Sequence, residues 1–184
     1  MNALSYALLG MLARTSCSGY ELTQKLEVFW QAKHSQIYPL LTKLEQGGFV
    51  TFIHVEQTGK PDKKIYSITD KGTELLTEWI ARSPAPPVIR DEFLAKVYSI
   101  RLADPATAKR LFHERMAVFE EKIVFRKQEI ARMKEEYGAE IEDLSSKHFG
   151  RYLIFERKLR QEQEEIAWCR WALALLDKAE GKAE

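Results

Sequence analysis

Residues Ser35 to Ile68 read SQIYPLLTKLEQGGFVTFIHVEQTGKPDKKIYSI, and this stretch decides the fold. Ser35 suits a helix N-cap, because its hydroxyl can accept one of the orphan backbone N–H groups. Ile37, Leu40, Leu41 and Leu44 follow at i, i+3, i+4 and i+7, the spacing of one apolar helical face. Pro39 is expected at the end of the first turn, where a missing N–H costs the helix little. Gly47-Gly48 stops the helix, since glycine takes the left-handed conformation readily at C′. Phe49 to Val55 is rich in Phe, Val, Thr and Ile and reads as a strand. The cluster Thr58-Gly59-Lys60-Pro61-Asp62 is a turn, and Lys63 to Ile68 is a second strand. Helix, hairpin with a basic tip and a further helix follow the order of a winged helix-turn-helix.

Working outward, the N-terminal side supplies the helices such a unit needs. Ala3 to Ala13 is a short apolar helix with Leu4, Leu8, Leu9 and Leu12 as its core stripe. Thr15 to Gly19 reads as a turn. Tyr20 to Trp30 reads as a second helix, with a very short connection, Ala32 to His34, into the helix at Ser35. Two helices joined by a tight turn and packed on an earlier one can hold a recognition helix in a major groove. On the C-terminal side, Thr69 or Asp70 caps a fourth helix whose Leu75, Leu76, Trp79 and Ile80 can cover the winged unit.

Ser83-Pro84-Ala85-Pro86-Pro87 is the clearest boundary in the chain, because three prolines in four residues make a stiff extended connector. The expected organisation is therefore a DNA-binding unit over 1–82, a linker over 83–90 and a helical dimerisation unit over 91–184. In the last, Asp91 to Leu102 reads as a short helix and Asp104-Pro105 opens a long one to about Tyr137. Phe112, Met116, Phe119, Ile123, Arg126, Ile130, Met133 and Tyr137 alternate by four and three, a heptad seam with one polar interruption. After a break from Gly138 to Ser146, the helix from Lys147 to Ala179 repeats the pattern. Its seam is Tyr152, Phe155, Leu159, Glu162, Ile166, Cys169, Leu173 and Leu176, again interrupted once. Arg126 and Glu162 lie equally far from the break, so in an antiparallel hairpin they lie near each other; an ion pair that sets register is the first reading, with two solvated seam-edge residues and then ligand binding as the alternatives. The apolar faces are wider than one hairpin needs. The excess points to a homodimer, with Phe112, Met116, Phe119, Ile123, Tyr152, Phe155, Leu159, Ile166, Leu173 and Leu176 as the dimerisation residues.

Composition excludes several classes. The 184 residues carry a net charge of +1 and are 45% apolar, so the chain is neither disordered nor uniformly basic. No run approaches the roughly 18–20 apolar residues of a membrane span, and no basic segment precedes the apolar Leu4–Leu12 stretch as a secretory leader requires. The expected location is the cytoplasm. Cys17 and Cys169 have no metal-ligand or CxxC spacing and read as reduced thiols. No metal or cofactor is expected. The four histidines, His34, His54, His113 and His148, are scattered, and there is no phosphate-binding glycine loop or nucleophile elbow. An enzyme is therefore not the reading.

Five segments in order resemble the PadR family of bacterial transcriptional regulators. They are Ala7-Leu8-Leu9-Gly10-Met11-Leu12, Ser18-Gly19-Tyr20-Glu21-Leu22, Ile37-Tyr38-Pro39-Leu40-Leu41 with Leu44-Glu45, Gly47-Gly48-Phe49-Val50, and Gly59 through Gly72. The resemblance is specific over residues 3–80. After residue 90 it is architectural, and the long tail looks like the subfamily that includes a virulence-gene activator. The resemblance implies a dimeric winged-helix protein that binds an operator and usually represses a nearby promoter. Several members respond to phenolic acids or hydrophobic drugs.

The residues themselves suggest where DNA would sit. Ser35, Gln36 and Tyr38 occupy the end of the recognition helix that enters the groove first. Gln36 can pair bidentately with adenine, and the Ser35 and Tyr38 hydroxyls suit phosphate oxygens. Thr42 and Lys43 lie further along, with Lys43 as a phosphate contact. In the wing, Gly59, Lys60, Lys63 and Lys64 suit the backbone or minor groove. The plain alternatives are a Ser35 that only caps, a Tyr38 that packs on Tyr20, and Gln36 and Thr42 simply exposed. Trp168 and Trp171 could stack on a planar aromatic effector, with core or interface packing as the more ordinary role. The competing function is a protein-interaction adaptor built from the same winged unit and coiled coil without specific DNA binding.

Overall fold

The structure, a computed structural model, describes residues 1–56 and 63–180. It is mainly α-helical and divides into two compact units, Met1–Ala85 and Pro86–Glu184. In the first, α1 (Ala3–Arg14) is followed by β1 (Cys17–Ser18), α2 (Gly19–Leu26), α3 (His34–Gln46), β2 (Val50–Val55), β3 (Lys63–Ile68) and α4 (Asp70–Ile80). In the second, α5 (Glu92–Tyr98) and a 3₁₀ turn (Ile100–Leu102) lead into α6 (Pro105–Tyr137). A second 3₁₀ turn (Gly138–Glu142) precedes α7 (Phe149–Glu180).

The first unit is a winged helix with a three-stranded antiparallel sheet in the order β1-β3-β2. Val50 pairs Ile68 and Val55 pairs Lys63, so β2 and β3 form the expected hairpin. The turn expected at Thr15–Gly19 instead contributes β1, with Cys17 opposite Tyr66 and Ser18 opposite Ile65. Two residues carry no alternation for a sequence reading to detect. The core is dry: Leu8 and Leu9 of α1, Leu22 and Leu26 of α2, and Ile37 and Leu41 of α3 are fully buried. Burying each such side chain contributes about 1.5–3 kcal/mol. Tyr6 of α1 stacks on Trp79 of α4 at 4.7 Å between centroids, so α4 covers the unit as its apolar face predicts.

Three boundaries differ from the sequence reading. First, α3 begins at His34, and its N-cap is Lys33, not Ser35. The Gln36 carboxamide oxygen accepts the Lys33 N–H at 3.0 Å, which closes the helix start one turn back. Pro39 consequently lies in the second turn, inside the helix, and the Ser35 carbonyl has no i+4 N–H to accept. Second, α2 stops at Leu26, where the Trp30 N–H returns to the Leu26 carbonyl at 2.7 Å. Third, Asp91 caps a shorter α5 through the Phe93 N–H at 3.0 Å.

The end of α3 shows why two glycines stand there. Gly48 has φ of +72°, and its N–H bonds to the Glu45 carbonyl at 2.8 Å while Phe49 N–H bonds to Leu44 at 2.9 Å. These two bonds make a Schellman motif, with Gly48 as the left-handed residue.

In the second unit, α6 and α7 pack against one another. Phe112, Ile130 and Met133 of α6 are buried, as are Phe155, Ile166 and Cys169 of α7. Between them Arg126 Nη2 meets Glu162 Oε1 at 2.9 Å, with the two side chains 9% and 6% exposed. Arg115 of α6 reaches Asp91 at 2.6 Å and Glu165 of α7 at 2.8 Å, tying three segments together. No helix among the described residues is long and apolar enough to cross a membrane.

Candidate nucleic-acid interface

The interface starts from how α3 is held. Ile37, Leu41 and Leu44 are buried against the first unit, which leaves Ser35, Gln36, Tyr38, Pro39, Thr42 and Lys43 exposed. A helix with one face locked into a core and a polar, hydroxyl-bearing face in solvent is rigid enough to present side chains to a groove. Lys33 caps with no side-chain acceptor, so the first helical N–H groups, those of His34 and Ser35, remain as donors for an anion.

The individual side chains are less free than their exposure suggests. Gln36 already uses its oxygen on Lys33, so bidentate adenine reading requires that bond to open or be shared. The Thr42 hydroxyl donates to the Tyr38 carbonyl at 3.2 Å. Tyr38 does not pack directly on Tyr20. The His34 ring lies between them, 5.7 Å from Tyr20 at 8° and 6.2 Å from Tyr38 at 26°. This His34 position was not among the sequence candidates, because the chain turn from α2 into α3 that inserts it leaves no periodic signal.

Gly19 makes the Tyr38 placement possible. A Cβ at that position would lie 2.8 Å from Tyr38 Cε1 and 3.0 Å from Cζ. Beneath, Ser18 caps α2 and Glu21 closes the capping box: Glu21 Oε2 accepts the Ser18 N–H at 2.7 Å. That backbone bond, followed by the Ser18 hydroxyl bond, holds the Glu21 carboxyl below its usual range.

At the wing, Lys64 Nζ sits 3.7 Å above the Phe52 ring. Lys63 Nζ lies 3.9 Å from the half-exposed Glu21 carboxylate, a weak pair. Gly59 and Lys60, both sequence candidates, lie outside the described residues.

In the second unit, the tryptophans separate. Trp168 packs edge-on to Phe93 at 6.0 Å and Phe112 at 5.7 Å, whereas Trp171 is exposed. A groove of about 520 Å³ between α5, the first 3₁₀ turn and α6 is lined by Lys96, Ile100, Leu102, Thr107, Arg110 and Leu111, and by neither tryptophan. Of the residues read as dimerising, Phe112, Phe155 and Ile166 are buried within the single chain. Met116, Phe119, Ile123, Tyr152, Leu159, Leu173 and Leu176 are partly exposed. Exposed apolar surface also comes from Val118, Val124, Phe125 and Leu153, which the seams omit. Burial raises the Cys17 thiol, and pushes that of Cys169 up to about 11. Neither carries the thiolate that redox sensing uses at neutral pH.

Comparison with known proteins supplies the frame for this geometry. The PadR-like transcriptional regulator family model matches residues 8–78, and the virulence activator alpha C-term model matches residues 89–177. The negative transcriptional regulator PadR of Bacillus subtilis is 37% identical over 183 residues, covering 97% of this chain and all of that one. The crystal structure of that PadR in complex with operator DNA superposes with a TM-score of 0.81 at 35% identity, covering 96% of this chain and 98% of the other. Its complex with p-coumaric acid superposes at 0.73, also at 35% identity, with 96% and 99% covered. Since the identity runs through the winged helix and the long-helix hairpin alike, the chain belongs to the PadR-like family of transcriptional regulators.

Proposed function

We propose that this chain is a sequence-specific DNA-binding repressor that acts as a homodimer on a pseudo-palindromic operator. The observation that carries the reading is α3: Ile37, Leu41 and Leu44 fix it to the core while Ser35, Gln36, Tyr38, Thr42 and Lys43 face solvent beside the wing. The relative solved with operator DNA supports it. Residues 1–82 bind DNA, with Gly59, Lys60, Lys63 and Lys64 of the wing on the backbone or minor groove. Residues 91–184 dimerise, because the exposed apolar residues of α6 and α7 have no partner surface within one chain's hairpin. A two-fold pair places two recognition helices on half-sites about one helical turn, roughly 34 Å, apart. A small aromatic or hydrophobic effector modulates binding, supported by the relative's p-coumaric acid complex. The chain acts by binding, not catalysis, in the cytoplasm where the DNA is.

The test is binding to duplexes from the chain's own upstream region at two salt concentrations, with Tyr38→Ala alongside. Tight, salt-sensitive binding to a pseudo-palindrome that the variant loses is expected. Equal affinity for random DNA at both salts would sink the reading.

A further inference from the structure

The Tyr20–His34–Tyr38 ladder carries an assignment beyond the recognition motif, resting on the DNA-binding reading above. His34 is the first residue of α3 and is exposed. Its ring is held by three residues. Tyr20 and Tyr38 each stack near-parallel with it, and its Nδ1 lies 3.2 Å from the hydroxyl of Thr23, a buried residue of α2. The Thr23 hydroxyl proton goes to the Gly19 carbonyl at 3.0 Å. The oxygen can then only accept from His34, so Nδ1 carries the imidazole proton and Nε2 of the neutral ring is an acceptor. With Nδ1 on the buried Thr23 hydroxyl and the residue exposed, Nε2 is the ring nitrogen left for a partner outside the protein. Tyr20 is fixed in turn, its hydroxyl accepting from Gln24 Nε2 at 3.0 Å.

An ordered acceptor at the groove-entering end of a recognition helix has a restricted choice of partners on DNA. Phosphate oxygens accept only, so they cannot satisfy the Nε2 of a neutral ring. In the major groove the donors are the exocyclic amino groups, adenine N6 and cytosine N4. We propose that His34 is a specificity-determining DNA contact whose Nε2 accepts a hydrogen bond from the exocyclic amino group of an adenine or cytosine in each half-site. Stacking between two tyrosines aims the ring before DNA arrives, so little rotamer freedom is lost on contact.

The experiment selects preferred sites from randomised duplexes with the wild-type protein, His34→Phe and His34→Ala. Phenylalanine keeps an aromatic ring between Tyr20 and Tyr38 but has no Nε2. It should retain affinity for random DNA and the same salt dependence, and lose a preference of about 2- to 10-fold for adenine or cytosine at one position per half-site. His34→Ala should lose that preference and weaken binding to all sequences. A second measurement needs no variant: replacing the selected base by an analogue lacking its exocyclic amino group should weaken wild-type binding by the same factor.

If His34→Phe keeps the full preference, or the analogue binds the wild type as tightly as the natural base, His34 is only a spacer and the assignment is wrong. A loss equal on all sequences, with the salt slope lower by about one unit, would make it a phosphate contact and overturn the assignment as well. Wild-type protein that prefers no sequence at all overturns the DNA-binding reading and this assignment with it. Preference that is intact elsewhere but unchanged by His34→Phe overturns this assignment alone.

Discussion

Replacing Arg126 with methionine is expected to unfold the second unit's helical hairpin far more easily than its position in a charged helix suggests. Arg126 meets Glu162 through Nη2–Oε1 at 2.9 Å and Nε–Oε2 at 3.4 Å. The guanidinium also lies 5.0 Å over the Phe155 ring. With both side chains less than a tenth exposed, Arg126→Met leaves the Glu162 carboxylate buried without its partner. Stranding one member of such a pair costs about 3–5 kcal/mol. Lys158 limits the damage. Burial, then the charge of Arg157, lower its pKa, and the Glu162 charge raises it, so Lys158 is the candidate replacement partner. The single variant should therefore lose about 3 kcal/mol, and Arg126→Met with Lys158→Met should lose more. Arg126→Met with Glu162→Leu removes both charges from the seam and should come within about 1 kcal/mol of wild type or exceed it. Urea unfolding followed by helical circular dichroism reads these differences, at one fixed protein concentration because association through the proposed dimer interface would add to apparent stability. A loss below about 1 kcal/mol for Arg126→Met would place the pair with solvent-screened ones and refute the burial argument.

Three further outcomes are expected. Gly19→Ala should fold with nearly wild-type stability yet bind operator DNA about tenfold more weakly, because the added Cβ displaces the Tyr38 ring, the end of a movable side chain; unchanged affinity in a titration would contradict a DNA-contacting role for Tyr38. Gly72→Ala should be destabilised by about 3 kcal/mol in thermal unfolding, since its Cβ would meet the backbone carbonyl oxygen of Phe49, a group that cannot swing aside. Burial alone would raise the Asp91 pKa, but the Arg115 and Phe93 hydrogen bonds outweigh it and hold it lowered. Its stabilisation is thus complete above the ordinary aspartate value near ~3.9 and declines as pH falls below it; wild type should lose more melting temperature between pH 5 and pH 3 than Asp91→Asn does.

Local pattern made much of this molecule legible without coordinates. The heptad spacings of α6 and α7 placed Arg126 and Glu162 opposite each other before any contact was known, because a helical hairpin is nearly one-dimensional: equal distance from the turn means adjacency. The Ile37–Leu44 stripe located the buried face of α3 for the same reason, and Gly47-Gly48 marked its end through backbone sterics alone. The cap at the start of α3 was misread because Ser35 and Lys33 both precede the apolar stripe. Which one caps depends on where the Gln36 side chain bonds.

Tertiary structure decided what contacts between distant segments determine. Cys17–Ser18 became a strand only because β3, about fifty residues later, offered it a free edge at Tyr66 and Ile65. Lys63, read as a wing residue for the DNA backbone or minor groove, lies 3.9 Å from the Glu21 carboxylate of α2. The ladder of Tyr20, His34 and Tyr38 depends on the path of the chain between α2 and α3 and on the missing side chain at Gly19, and neither repeats with a period. Periodicity is a property of neighbouring residues, so sequence alone determined which helices form, their buried faces and the pairing of β2 with β3. The orientation of the side chains read as DNA contacts is set by packing between elements, which only the folded chain brings together.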